Sequence, residues 1–491
     1  MIASRARGSV RAANGAVAKP AWPGTAEQRP AVPGAGSSPR GAAGMLGFAR
    51  LGASFDMHRR EFATRRRRLM DMMGEGSVAI VPTAPVRPRN RDVDFPYRPD
   101  SSFYYLTGFG EPEAVAVLAP GREQGEFVMF CRERDPAAEQ WHGSRLGLEG
   151  ACERHGADDA FPIGDVDDIL PGLLENKTRV YYAMGHYPEF DRRMLAWVAK
   201  VRGGSRSSGD LGELVMLDHL VHEMRLFKSK AEVRAMSKAA EVSAAAHERA
   251  MRVCRPGMCE YQIEAELLYE FTRAGCRAPA YPSIVAGGAN ACTLHYTENS
   301  GRLRDRDLLL IDAGAEHDCY AADITRTFPV NGRFSRAQRD LYTVVLAAQE
   351  AAIDTVGPGR TVDDVHMAAV RVLVDGLVDL GALKGRAKRL VDKEKYKRFY
   401  MHRTGHWLGM DVHDVGDYRI EDQSRMLEPG MVMTVEPGLY VAPDDEKAPR
   451  RLRGIGIRIE DDVLVTRTGR EVLTSAAPKA IDEIESTVGS G

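Results

Sequence analysis

Asp312, Asp323, His406, Glu436 and Glu460 stand in short, apolar or glycine-flanked contexts: LLLIDAGA, YAADITRTF, HRTGHWLGMDVHD, VEPGLY and GIRIEDD. Four carboxylates and one imidazole are a donor set for two hard or borderline divalent cations. Two adjacent cations can share one hydroxide, which is the chemistry of a hydrolase. Charge points the same way. Two like charges 4 Å apart repel by roughly 4 kcal/mol at an effective dielectric near 20, so converging carboxylates need counter-charge, and two divalent ions supply it. Each residue alone has a plainer reading. An Asp ending an apolar strand can cap a turn, Glu436 before Pro437-Gly438 can open one, and His406 can be a satisfied buried histidine. Five such contexts together favour a shared site.

The elements that must position these residues are β-strands. Runs 307–315 and 320–327 flank the polar turn Glu316-His317-Asp318-Cys319. A hairpin symmetric about that turn sets Asp312 directly opposite Asp323, with Cβ atoms about 4.5–5.5 Å apart. In 431–441, Val432, Thr434 and Glu436 share one face; in 454–461, Gly456, Arg458 and Glu460 do, because side chains alternate along a strand. Gly454 and Gly456 leave room for something to approach the backbone. His402 and His406 have the spacing of a helical metal pair, but Gly405 and the following Trp-Leu-Gly argue for loop or strand, and HExxH is absent.

Helical periodicity covers 230–254, 260–274, 335–356 and 361–380, the third stopped by Gly357-Pro358-Gly359. Helices packing on a sheet that carries the chemistry make this part α+β. Upstream, 57–73 reads as an amphipathic helix whose Arg65–Arg68 run is a solvated face. Strand-like runs at 78–81, 114–119 and 126–131 follow, so an α/β domain precedes the catalytic one. The expected divisions are a disordered or targeting extension over 1–56, an α/β domain over 57–226, a catalytic domain over 227–478 and a flexible tail over 479–491.

With 67 Lys+Arg against 69 Asp+Glu, no global field draws nucleic acid or an anionic membrane. No apolar run is long enough for a membrane span. Seven cysteines without CxxC spacing argue against a disulfide framework and for a reducing, cytoplasmic setting. The first 44 residues carry Glu27 as their one acid. They read as a disordered extension, or alternatively as a mitochondrial targeting segment.

These contexts, in this order, resemble the pita-bread metallopeptidases, and most closely the Xaa-Pro aminopeptidases. DFPYRPDSSFYYLTGFGEPEA (94–114) is similar to that family's N-terminal domain, and ACTLHYTEN, HWLGMDVHDVG and EPGLY to its catalytic domain. The resemblance implies a pita-bread catalytic domain behind a smaller α/β domain. It implies that Asp312, Asp323, His406, Glu436 and Glu460 bind two divalent metals, usually manganese, and that Glu436 is also the general base. His295 and His413 would flank the substrate and stabilise the tetrahedral intermediate. His402, Arg458 and Tyr440 would shape the pocket around the prolyl residue. The implied reaction is removal of an N-terminal residue preceding proline, by attack of a hydroxide shared between the metals, in a homo-oligomer (dimer or tetramer). A prolidase acting on Xaa-Pro dipeptides is the rival within the class, and a non-enzymatic pita-bread binding module the remote one.

Overall fold

A computed structural model describes residues 48–204 and 211–491 of the protein, so most of the expected 1–56 extension lies outside the described residues. Helix Phe48–Met73 begins before the expected start at 57. It leads into a six-stranded sheet ordered Asp159–Pro162, Phe127–Cys131, Val115–Leu118, Ser77–Pro82, Arg179–Tyr182, Glu213–Met216. Pairing is antiparallel on both sides of Val115–Leu118 and parallel elsewhere. In the central strand Ala79 and Val81 join one core cluster while Val78 and Ile80 join another. Both faces are therefore covered, which is why the strand reads as an unbroken apolar run.

The Arg65–Arg68 run is not the solvated face its charge suggested. Arg65 and Arg66 are 7% and 5% exposed. The Arg65 guanidinium lies over the Tyr105 ring, donates to the Tyr105 carbonyl and pairs with Glu232 at 3.3 Å. Arg66 donates to the Leu106 carbonyl over the Phe127 ring. Delocalised guanidinium stacks on aromatic rings while its fork is satisfied by carbonyls, so it tolerates burial that a lysine would resist. Arg67 and Arg68 are exposed.

In the second part, helices Lys230–Val253, Glu260–Arg273, Arg336–Thr355 and Val362–Asp379 match the periodicity to within a residue or two. Three start in reciprocal caps: Ser229 with Glu232, Ser335 with Gln338, and Thr361 with Asp364, which satisfy otherwise orphaned N–H groups. Their apolar faces (Leu267, Phe271, Leu341, Val345, Leu373) share one core with Leu309, Ile311, Val435 and Ile457 of the strands. Those strands form three ladders: Thr325–Pro329 with Leu308–Asp312 and Ile284–Gly287; Val432–Val435 with Asp461–Thr466 and Gly469–Val472; and Gly438–Val441 with Ile455–Arg458. The Glu460 N–H, donating to the Thr325 carbonyl at 3.0 Å, ties the first to the others.

The hairpin register differs from the symmetric expectation. Asp312 pairs with Thr325, and beyond it the hairpin continues to Glu316↔Ala321 and His317↔Tyr320. The turn is two residues long, Asp318 and Cys319, both at positive φ (50° and 64°). That is the type I′ geometry whose twist suits a hairpin. A shift of two preserves face, so Asp312 and Asp323 are diagonal rather than direct neighbours and still point the same way.

The expected flexible tail is instead packed. Lys479 pairs with buried Asp461 at 2.7 Å, and the Lys479 carbonyl accepts from Tyr342. Helix Ile481–Thr487 follows, with Ile484 fully buried, and the Gly489 N–H donates to the Met251 carbonyl.

Candidate functional site

Ten side chains were expected at the site, and nine of them line one cavity of about 830 Å³: His295, Asp312, Asp323, His402, His406, His413, Glu436, Arg458 and Glu460. Tyr440 does not line it. It is buried behind the wall, where its hydroxyl accepts from Arg458 Nη1 at 3.0 Å and meets His402 Nε2 at 2.9 Å.

Three donors, from Asp323, His406 and Glu460, lie within 4.8 Å of one another. His406 Nε2 is 3.5 Å from Asp323 Oδ2 and 3.6 Å from Glu436 Oε1. Asp312 joins through Tyr281, whose hydroxyl is 2.7 Å from Asp312 Oδ1 and 2.5 Å from Asp323 Oδ1. Glu460 Oε2 accepts from Thr325 Oγ1 at 2.6 Å, and Arg458 donates to Asp312 Oδ2 at 2.6 Å and to Thr325 Oγ1 at 3.0 Å. Arg458 and Glu460 thus share one partner, Thr325. The strand Val432–Val435 ends just before Glu436, whose N–H donates to the Thr404 carbonyl. That bond, with the Thr434 N–H on the His406 carbonyl, fastens the loop carrying His402 and His406 to the strand.

Tyr281 and Thr325 belong to the site without a motif of their own. Nothing in the spacing marks Tyr281, in the run APAYPSIV; Thr325 could have been found by strand parity, two residues beyond Asp323.

The electrostatics describe a surplus of negative charge. Burial, with repulsion from Asp323 and Asp312, pushes Glu436 up to about 7 despite His406 and Arg458. Burial and the other three carboxylates push Glu460 well above the carboxylate range, and burial raises Asp312 although Arg458 opposes it. Burial would raise Asp323 too, but the His406 contact holds it low. His406 goes the other way: burial lowers it, yet Asp323 and Glu436 prevail and carry it to about 9. His402 is kept neutral, at about 3, by burial and Arg458. His413, its ring centroid 4.4 Å from that of His406, is lowered by burial and by that neighbour.

Divalent cations fit this set. The donors are oxygens and one imidazole nitrogen, suited to hard and borderline ions. His406 Nδ1 lies 3.0 Å from the Trp407 carbonyl, which holds the Nδ1 proton there, so that an ion displacing the Nε2 proton would meet a lone pair facing the carboxylates, as in metal-binding histidines. The Tyr281 hydroxyl has one proton for two carboxylate oxygens, so the second contact calls for another positive partner. Asp312, Asp323, His406, Glu436 and Glu460 are the residues that would hold the ions.

Residues 234–467 match the family model described as metallopeptidase family M24, and 62–181 the one described as aminopeptidase P, N-terminal domain. The Xaa-Pro aminopeptidase of Escherichia coli K12 is 48% identical over 433 residues, spanning 88% of this chain and 98% of that protein. Among solved structures, the aminopeptidase PepP of Pseudomonas aeruginosa superposes with a TM-score of 0.86 at 58% identity, covering 87% of this chain and 97% of its own. Zinc-substituted E. coli aminopeptidase P in complex with product does so at 0.85 and 48%, covering 87% and 98%.

Proposed function

The chain belongs to the Xaa-Pro aminopeptidases, with the aminopeptidase P fold of a pita-bread M24 domain behind its N-terminal domain, and from this we infer how its pocket hydrolyses the bond between an N-terminal residue and a following proline. The observation that carries the reading is the gathering of His295, His413 and five candidate ligands around one cavity.

Two divalent cations, held by Asp312, Asp323, His406, Glu436 and Glu460, would polarise the scissile carbonyl and make water acidic enough to attack at neutral pH. Manganese is our choice, since a carboxylate-rich shell suits it. Glu436 lines the cavity beside His406, where its carboxylate is placed to serve as the general base. It takes the proton released by the attacking water at a carboxylate oxygen and passes it to the prolyl nitrogen, which leaves as a secondary amine. His295 and His413 face the cavity, and their N–H groups serve the oxygen on which negative charge develops. Arg458, fixed by Asp312, Thr325 and Tyr440, and His402 wall the pocket. Tyr440 acts behind them, holding both in place.

An Xaa-Pro amide has no N–H, so recognition falls to shape. Leu294, Val412, Pro282 and Tyr418 supply apolar wall beside the acidic cluster, a suitable bed for a pyrrolidine ring, while the carboxylates favour a free substrate amine. A reducing, cytoplasmic compartment suits seven free cysteines. Among the described residues no helix is long and apolar enough to cross a membrane. Assembly as a homodimer or homotetramer fits the exposure of Phe95 and Trp141, 53% and 84%.

The test compares Xaa-Pro-Yaa tripeptides, Xaa-Pro dipeptides and Xaa-Ala-Yaa controls. Release of Xaa from the proline tripeptides, with the alanine controls inert, is expected. Cleavage confined to dipeptides would make the enzyme a prolidase.

A further inference from the structure

Among the described residues His295 has no hydrogen-bonding partner inside the site, and the loop that presents it is long. It runs from strand Ile284–Gly287 through a short 3₁₀ turn, Gly288–Cys292, to strand Leu308–Asp312. A carboxylate that is not part of the cavity lining fastens this loop. Glu260, the first residue of helix Glu260–Arg273, is fully buried, and its two oxygens receive four donors. Oε1 accepts from the Gly287 N–H at 2.7 Å and Asn290 Nδ2 at 2.9 Å; Oε2 accepts from the Tyr296 hydroxyl at 2.9 Å and the Gly301 N–H at 2.6 Å. The Glu260 N–H in turn donates to the Gly301 carbonyl.

All four donors belong to the His295 loop or its two ends, and Tyr296 adjoins His295. The backbone is cut to admit the carboxylate. A Cβ at Gly301 would fall 2.9 Å from both Glu260 oxygens, and one at Gly287 3.2 Å from Oε1. Among the described residues no cation pairs with Glu260, so the buried charge is held by neutral donors at the start of a helix, where the backbone dipole also favours it. A carboxylate is costly to bury unless its oxygens are hydrogen-bonded, and the four bonds that satisfy Glu260 all come from one loop. Here it works as a clasp.

We propose that Glu260 is a positioning residue for the hydrolytic reaction: it fixes the Gly287–Gly301 loop so that the His295 imidazole faces the ligand cluster. The inference rests on the reading of His295 given above. Glu260→Gln keeps the shape but turns an NH2 group toward two donors, opening half the clasp.

The test is a double-mutant cycle with His295→Ala, read as kcat and KM on an Xaa-Pro-Yaa peptide, with metal content and thermal midpoint measured alongside. His295→Ala should lower kcat by about a hundredfold, and Glu260→Gln by about tenfold with metal content unchanged. In the His295→Ala background Glu260→Gln should change kcat less than about twofold, because it acts through the imidazole already removed. Equal losses in both backgrounds, or wild-type kcat in Glu260→Gln, would overturn the proposal. Full activity of His295→Ala would instead remove the reading beneath it. If Glu260→Gln does not fold, Tyr296→Phe, which removes one donor, takes its place in the cycle with an expected loss of about threefold; a wild-type kcat there also overturns the proposal.

Discussion

Asp312, Asp323, Glu436 and Glu460 crowd one pocket against Arg458 and His406, and the charge they lack is what the site is built to recruit. Asp323→Asn keeps the volume but deletes one ligand charge. It should keep the fold and lower kcat/KM by about a thousandfold or more, read by peptide hydrolysis at fixed metal. Unimpaired turnover would contradict the ligand set. The pH dependence of metal binding follows from the same groups. Metal-free, Glu436 titrates at about 7, above its ordinary 4.5, so folding tolerates its neutral form and loses stability as pH rises through 7. His406 titrates at about 9 against an ordinary 6.5, so the stability its charge contributes below 6.5 is also lost as pH rises through 9. Cations take the place of those protons. The gain in thermal midpoint on adding Mn2+ to chelated protein should therefore grow from pH 5.5 to 8.5; a flat gain would contradict the account. Residue types made this site legible, because a carboxylate in an apolar context announces itself. Tyr281 stayed silent: one tyrosine between prolines carries no pattern, and its meaning comes from standing between two aspartates that are distant in sequence.

The hairpin that delivers Asp312 and Asp323 shows how far an element can be read. Strand identity and face followed from alternation, since a register error of two leaves every side chain on its side. Register itself depended on the turn, and Asp-Cys does not advertise the type I′ turn that Asn-Gly would. Cys319 at φ 64° holds a left-handed conformation at the i+2 position. Cys319→Val should be strained there, because branching at Cβ crowds that region, and should cost about 1–3 kcal/mol by urea denaturation. Metal content at saturating ion should be retained, because the ladder below the turn is anchored by the pairing of Leu308–Asp312 with Thr325–Pro329. A neutral result would mean the turn relaxes freely.

At the scale of the whole molecule, buried ion pairs join the parts. Arg225 and Lys228, from the segment linking the two domains, meet Asp414 at 2.6 and 3.0 Å, and each of the three is no more than 7% exposed. Asp414 follows His413, so the linker grips the loop that carries the imidazoles. Asp414→Asn should cost about 3–5 kcal/mol, because it leaves buried Lys228 without its carboxylate and Arg225 with Asp411 alone; denaturant midpoints would show it. The C-terminal segment makes the comparable point about reading a chain from its ends. Residues 479–491 have little apolar content and no long periodicity, which is why they read as a tail. Their order comes from partners remote in sequence: Asp461 for Lys479, Arg333 and Arg339 for Glu485, and the main core for Ile484. Ile484→Ala separates the two pictures. In a mobile tail it would fall within about 0.5 kcal/mol of wild type. For a fully buried side chain it should cost about 2–4 kcal/mol through lost burial and a residual cavity, lowering the urea midpoint at unchanged slope. Since Ile484 lies outside the catalytic cavity, kcat and KM in the absence of urea should stay at wild-type values.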